Sequence, residues 1–185
     1  ILCAYIRKNF IYKPHFLYEL NNNMNIFIMH WIPTICAQYH VDKHVVKMIL
    51  ETTQLLCSAW HVIDPLHLIY TPVYKLTHKN HPSSKWTRES IDNYKWLCSL
   101  GLALCYEYTF RYGKIHKCQQ YLVDLSHNIP PLNDLGFTKP KLAMPDEYKS
   151  NNTILSYRLY YIKEKYRLFK WKKRSVPKCF SPYLT

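Results

Sequence analysis

The segment from about Ile35 to Val62 constrains the fold more than any other part of the chain. Read as a helix, it is apolar over most of its circumference. Val41, Val45, Val46, Ile49, Leu50, Leu55, Leu56, Ala59 and Trp60 occupy several faces, while His40, His44, Lys47, Glu51, Gln54 and Ser58 follow one another at steps of four and three along a single polar edge. A helix that is apolar nearly all round is buried, so the rest of the chain has to wrap it. The polar edge then faces either water or a polar cleft. A solvated edge is the ordinary outcome. The narrowness of this one, and its mixture of imidazole, amine and carboxylate, favour a cleft, because such a set can move protons and stabilise a cation near neutral pH.

The remaining pattern is also helical. Pro33 and Thr34 open the first long helix and Asp64-Pro65 close it. A loop from Asp64 to Pro82, carrying His78 and His81, leads to Ser83 or Ser84, either of which can cap a second long helix reaching Tyr112. Its core stripe is Tyr94, Leu97, Cys98, Gly101, Leu104, Cys105 and Tyr108, and Gly113 is a natural stop. A shorter helix is expected over Ile115 to Leu125, then a proline-rich connection from Asn128 to Tyr148, then a third long helix from Thr153 to Arg174 on a stripe of Leu155, Leu159, Ile162, Tyr166 and Phe169. Asn25 to Met29 is a short strand or an extended lead-in. With only 3 glycines there is little material for tight hairpin turns, which argues against an all-β domain. The expectation is an all-α fold: a compact bundle of three long helices, with shorter helices and one long irregular connection. Residues 1–23 read as a leader or upstream segment, with Met24 as the natural start, and residues 24–185 as a single domain.

Lys and Arg number 25 against 12 Asp and Glu, a formal net charge of +13, in a chain with 17 tyrosines. Excess positive charge with interleaved aromatics suits a polyanion with stackable bases. The bland alternative is charge that serves only solubility. The 7 cysteines form no C-x-x-C pair, and Cys57, Cys98 and Cys105 fall within apolar helical patterns, so they read as reduced core thiols of an intracellular protein. No apolar run approaches the roughly 20 residues of a membrane span. Lys85, Arg88 and Lys95 lie off the apolar stripe of the second helix. Lys163, Arg167 and Lys170 lie opposite the core stripe of the last, and Trp171-Lys172-Lys173-Arg174 extends the charge. These side chains can grip phosphates, with Tyr157, Tyr160 and Tyr161 beside them to stack, whereas Tyr166 reads as core. A metal site is also conceivable, with His40 and His44 at i, i+4 and Glu51 or His30 completing it. Lys47 stands against it, because its ammonium on the same edge repels a cation, and there is no H-E-x-x-H.

Lys43-His44-Val45-Val46, with Glu51 seven residues after His44, resembles the first helix of the phage-type pyrimidine-dimer DNA glycosylases, or ultraviolet endonucleases. His81-Pro82, Trp86 and a long helix closing at Arg111-Tyr112-Gly113 are similar to that family's His-Pro segment and its helix ending in Arg, Gly and an aromatic residue. Tyr157-Arg158-Leu159-Tyr160-Tyr161 resembles its aromatic-rich tail. The three segments occur in the family's order, with longer connections. The chain is also similar to uncharacterised proteins of large phages and DNA viruses, which implies a virus- or phage-encoded protein acting in the infected cell.

The resemblance implies an all-α fold, a kinked DNA duplex and base excision without metal or other cofactor. In that chemistry an amine attacks C1′ of a damaged nucleotide, the base leaves, a Schiff base forms and β-elimination cuts the strand. By position, Glu51 takes the family's carboxylate role and His44 its helix-histidine role, while Lys43, Arg111, Arg158, Tyr160 and Tyr161 join the DNA contacts. Leu50 and Gln54 stand where the family has arginines. Its nucleophile, the α-amine exposed when the initiator Met is removed, corresponds to Asn25. A Met before a side chain as large as Asn is expected to be retained, and Lys47, one turn from both His44 and Glu51, offers a substitute amine. The resulting expectation is a monomeric DNA glycosylase with abasic-site lyase activity. Two alternatives stand beside it: a non-catalytic DNA-binding protein, and a metal-dependent nuclease or nucleotide hydrolase built on His40, His44 and Glu51.

Overall fold

The computed structural model describes residues 24–183; the expected leader, 1–23, lies outside them. Among the described residues six helices follow in order: α1 (Pro33–Tyr39), α2 (Asp42–Ile63), α3 (Pro82–Thr87), α4 (Ile91–Tyr112), α5 (Gln119–His127) and α6 (Thr153–Glu164), with short 3-10 turns at Asp146–Tyr148, Tyr166–Leu168 and Ser181–Tyr183. The all-α expectation holds. α2 lies at the centre, packed against α4, α3 and α5, and α4 also packs on α1. The core between them is formed by Val45, Ile49, Leu55, Leu56, Trp60, Trp86, Tyr94, Leu97, Leu104 and Leu122. At Gly101 a Cβ would stand 2.8 Å from Leu122 and 2.9 Å from Thr52, so the crossing of α4 over α2 and α5 depends on a missing side chain. Gly113 adopts the left-handed conformation that ends α4 (φ 67°).

Each of the three long helices expected from periodicity is shorter than its pattern, and each for a tertiary reason. The first divides at His40 and Val41, both extended. The carbonyls of Gln38 and His40, which a continuous helix would pair with the amides of Asp42 and His44, instead accept from the Arg111 guanidinium at 3.1 and 2.9 Å. The Asp42 amide donates to Lys170 O at 2.8 Å. The second divides at Ser90. There Asn93 Nδ2 takes Trp86 O, and the Ile91 amide donates to Asn133 O of the irregular connection. His81, not Ser83 or Ser84, caps the entry to α3 by accepting from the Ser83 amide. The third stops at Glu164, because the chain beyond it turns to pack Phe169, Trp171 and Phe180 together over Tyr161. Tyr166, expected in the core, is 46% exposed. The short helix begins at Gln119 rather than Ile115, which is exposed.

Residues 25–29 form no strand. They are an extended, buried segment held by side chains: Cys36 Sγ accepts from the Met29 amide and donates to Phe27 O, and the Arg158 guanidinium donates twice to Met29 O. Cys57, Cys98 and Cys105 are buried and unpaired, as expected of core thiols. Among the described residues no helix is long and apolar enough to cross a membrane.

Candidate active site

Apart from Lys47, the polar edge of α2 lies largely under other parts of the chain. Ser58 Oγ donates to Thr77 O of the 64–81 loop. Glu51, only 8% exposed, is covered by the extended segment at Asn25, and His44 is covered by α6 and Phe27. The exposed part of the helix is the neighbouring strip of Lys43, Val46, Lys47 and Leu50, so Val46 and Leu50 do not belong to the buried face that their hydrophobicity suggests. Glu51 therefore lies just beneath a surface strip of mixed basic and apolar character.

Two nitrogens converge on the Glu51 carboxylate. Lys47 Nζ lies 3.0 Å from Oε1, its side chain 54% exposed. The backbone N–H of Asn25 donates to Oε2 at 3.2 Å. The first contact follows from the i, i+4 spacing of a helix; the second joins residues 26 apart and exists only because the extended segment crosses α2 at this point. Asn25 is itself fixed on three sides. Its Nδ2 donates to Ala143 O at 2.8 Å, and its Oδ1 accepts from its neighbour's amide, Ile26, and from the Tyr157 hydroxyl at 3.2 Å.

His44 sits one turn below, its ring stacked on Phe27 (centroids 4.8 Å apart, planes at 15°). Its Nδ1 is 2.7 Å from the Tyr161 oxygen, which also accepts from the Val41 amide. The phenol hydrogen is therefore available to Nδ1, and the imidazole proton belongs on Nε2. Burial, with positive charge from His40, Lys165 and Lys47, pushes the His44 pKa down to about 2. His40 has left the helix and is fully buried, its Nδ1 bonded to Cys36 O, and burial lowers its pKa to about 4. Both imidazoles are thus neutral at physiological pH. The expectation that this edge carries a titrating histidine is revised: His44 is neutral, stacked on Phe27 and paired with Tyr161. Among the described residues no three His, Cys, Asp or Glu side chains form a cluster that could hold a metal ion.

The candidate DNA contacts divide. Lys43, Lys85, Lys95, Arg167 and Lys170 are exposed, Arg88 and Lys163 half-buried. Arg158 is half-buried with its guanidinium on Met29 O and over the Tyr39 ring. Tyr160 is half-buried between Phe27 and Tyr148, with Lys165 Nζ over its ring. Arg111 and Tyr161 are corrected from surface contacts to interior residues. Arg111 is wholly buried between Glu107 and Asp42, each at 3.0 Å, and Tyr161 is wholly buried under His44. The role of Asn25 as a backbone donor to the carboxylate was not readable from its own residue type. Sequence reading pointed to Asn25 only through the resemblance, as the position of the family's nucleophilic α-amine, and through the short apolar run beginning there.

Comparison with protein-family models, with curated proteins and with solved structures gave no match.

Proposed function

We propose that this chain is a DNA-repair enzyme: a glycosylase with abasic-site lyase activity on damaged pyrimidines in duplex DNA, with Glu51 and Lys47 as its reacting pair. The reading rests on one observation above all. A nearly buried carboxylate holds an accessible primary amine at 3.0 Å, directly under an exposed strip that carries Lys43. A carboxylate beside an amine is what imine chemistry at a sugar requires, since one group must take and return protons while the other forms the bond.

In the proposed sequence Lys47 passes a proton to Glu51 and its neutral amine bonds to C1′. The bond from C1′ to the base breaks with its electron pair on the base, which takes up the proton shed by the newly bound nitrogen. Glu51 returns its proton to the ring oxygen as the C1′–O4′ bond opens, leaving an iminium between C1′ and Nζ. The Glu51 carboxylate then removes a proton from C2′, and the C3′–O bond breaks with its electrons on the phosphate. The nucleotide has to leave the base stack to reach these groups. Lys43, Lys85, Arg88, Lys95, Lys163, Arg167 and Lys170 supply positive charge for the phosphates. The Asn25 nitrogen, an amide in this chain, holds Glu51 in place, and it becomes a competing nucleophile only where the chain is cut after Met24.

The test is borohydride trapping on duplex DNA carrying one thymine dimer or one abasic site. A covalent adduct is expected with the wild-type chain, absent in Lys47→Ala and strongly reduced in Glu51→Gln. Full trapping by Lys47→Ala would overturn the assignment of the amine. Tight, salt-sensitive binding without an adduct would make the protein a non-catalytic DNA binder, a reading that the Lys47–Glu51 pair also allows, since i, i+4 ion pairs are common on helices.

A further inference from the structure

A second basic site lies on the other side of Asn25 from Glu51. A cleft of about 400 Å³ is lined by Asn80, Pro82, Lys85, Lys141, Leu142 and Lys149. These six residues come from three parts of the chain: the end of the 64–81 loop with α3, the proline-rich connection, and the approach to α6. No Asp or Glu is among them. Lys149 Nζ lies 2.7 Å from Asp146, which is fully out in solvent on that flank. Three ammonium groups thus surround an opening whose walls, Pro82 and Leu142, are apolar and whose remaining polar group is a carboxamide.

That composition selects a ligand. Point charges from lysine suit phosphate oxygens. Pro82 and Leu142 suit the face of a sugar or base, and an Asn side chain, with two donors and one acceptor, can read a base edge. The volume falls within the range of cavities that hold small organic ligands. The cleft is also anchored to the candidate active site. Ala143, next to Leu142, accepts from Asn25 Nδ2, and Lys141 O and Asn25 Oδ1 share the Tyr157 hydroxyl at 3.4 and 3.2 Å. One residue of backbone therefore separates the cleft wall from the residue that touches Glu51.

We propose that this cleft is a nucleotide site, taking a phosphate on Lys85, Lys141 and Lys149 and the attached sugar or base against Pro82 and Leu142. The inference rests on reading the chain as a nucleic-acid protein, but not on the Lys47–Glu51 chemistry. The phosphate can belong to a free nucleotide or to one unit of a strand, and the two sources are separable.

The experiment uses the full chain and a Lys85→Ala/Lys141→Ala variant, with Lys114→Ala, on the exposed turn after α4, as the charge control. Far-UV circular dichroism verifies folding, which these exposed side chains leave intact. Binding of a fluorescein-labelled single-stranded thymidylate octamer is followed by anisotropy across a salt series, and thymidine 5′-monophosphate is titrated separately by calorimetry. Octamer affinity about tenfold weaker in the double variant, with the salt slope shallower by about 1.4 (two contacts at ~0.7 each on a single strand), and little change in Lys114→Ala, identifies the occupant as a unit of a strand. Binding of the monophosphate by wild type and its loss in the double variant identifies a free nucleotide. Equal behaviour of the double variant and Lys114→Ala towards both probes overturns the proposal. A wild-type chain that forms no borohydride adduct yet shows these differences would remove the lyase reading and leave the cleft standing.

Discussion

Arg111 and Glu51 are both charged residues in the middle of the bundle, and their surroundings are opposite. Arg111 is saturated. Its guanidinium meets Asp42 and Glu107, donates to the carbonyls of Gln38 and His40, and Glu107 is further bound by Arg174. Asp42 in turn accepts from the Lys172 amide. Glu51 has one backbone N–H and one ammonium that is half in solvent. A charge enclosed on every side has no capacity left for a ligand and acts to hold elements together. A buried charge with few partners among the described residues, under a half-exposed amine, keeps lone pairs available for a ligand. Two carboxylate–cation arrangements in one small fold thus differ in what they leave open: the Arg111 network is closed, and the Lys47–Glu51 pair, proposed above as the reacting pair, reaches solvent through Lys47.

The contrast is broken most severely at Arg111. Arg111→Met leaves Asp42 and Glu107 facing each other's neighbourhood without their shared cation and is expected to cost about 3–5 kcal/mol, read from the urea midpoint. A loss below about 1 kcal/mol would mean that the network does not hold α1, α2 and α4 together. Glu51→Gln comes next and reverses the pattern. Adduct formation is expected to fall about 10²–10⁴-fold, the usual contribution of a general acid–base group, while the urea midpoint shifts far less than in Arg111→Met. A stability loss equal to that of Arg111→Met, with unchanged trapping, would make Glu51 structural.

Acid sharpens the comparison. Guanidinium charge does not titrate in this range, but His40 and His44 beside the site are held neutral, with pKa lowered from 6.5 to about 4 and about 2. The unfolded chain binds protons at these positions below pH 6.5 and the folded one does not. Their stabilisation is therefore complete above pH 6.5 and is lost as pH falls, through about 4 for His40 and further down for His44. Urea midpoints between pH 7 and 4.5 should fall in wild type with up to about 1.4 kcal/mol per pH unit from each group, and His40→Gln should be shallower by about one proton. Parallel curves would show that His40 protonates in the folded state. The smallest effect on folding is expected from Lys47→Arg. It keeps the ion pair, changes stability by no more than about 0.5 kcal/mol at this exposed position, and still abolishes trapping, because a guanidinium cannot form the imine.

Periodicity made the helices legible, since apolar spacing at three and four residues reports a buried face whatever covers it. The breaks were not legible. Nothing in the run around His40 and Val41 announces that Arg111, some seventy residues later, will take the carbonyls there, and Ser90 is an ordinary cap candidate until Asn133 claims the amide of Ile91. The contact between Lys47 and Glu51 on the polar edge of α2 was legible, because both lie on one helix. What covers it came from elsewhere in the chain: Asn25, Ala143, Tyr157 and Tyr161 are brought in by tertiary packing. Arg111 shows the converse. A basic residue at a helix end suggests phosphate, and only its burial reveals that it pairs with carboxylates.

The bonds around Asn25 and His44 join residues 118, 132 and 117 positions apart in sequence. During synthesis, α2 emerges with Lys47 and Glu51 one turn apart and with Asn25, which covers Glu51, already made, but Ala143 and Tyr157, which fix Asn25, come 118 and 132 residues after it. An unfinished or truncated product that lacks Tyr157 and Tyr161 lacks the hydroxyls that hold Asn25 and His44. A protease cut in the 128–148 connection severs the chain between its two halves. In the proposed chemistry, competence therefore arrives only with the last third of the polypeptide, where Ala143 and Tyr157 fix Asn25 against Glu51.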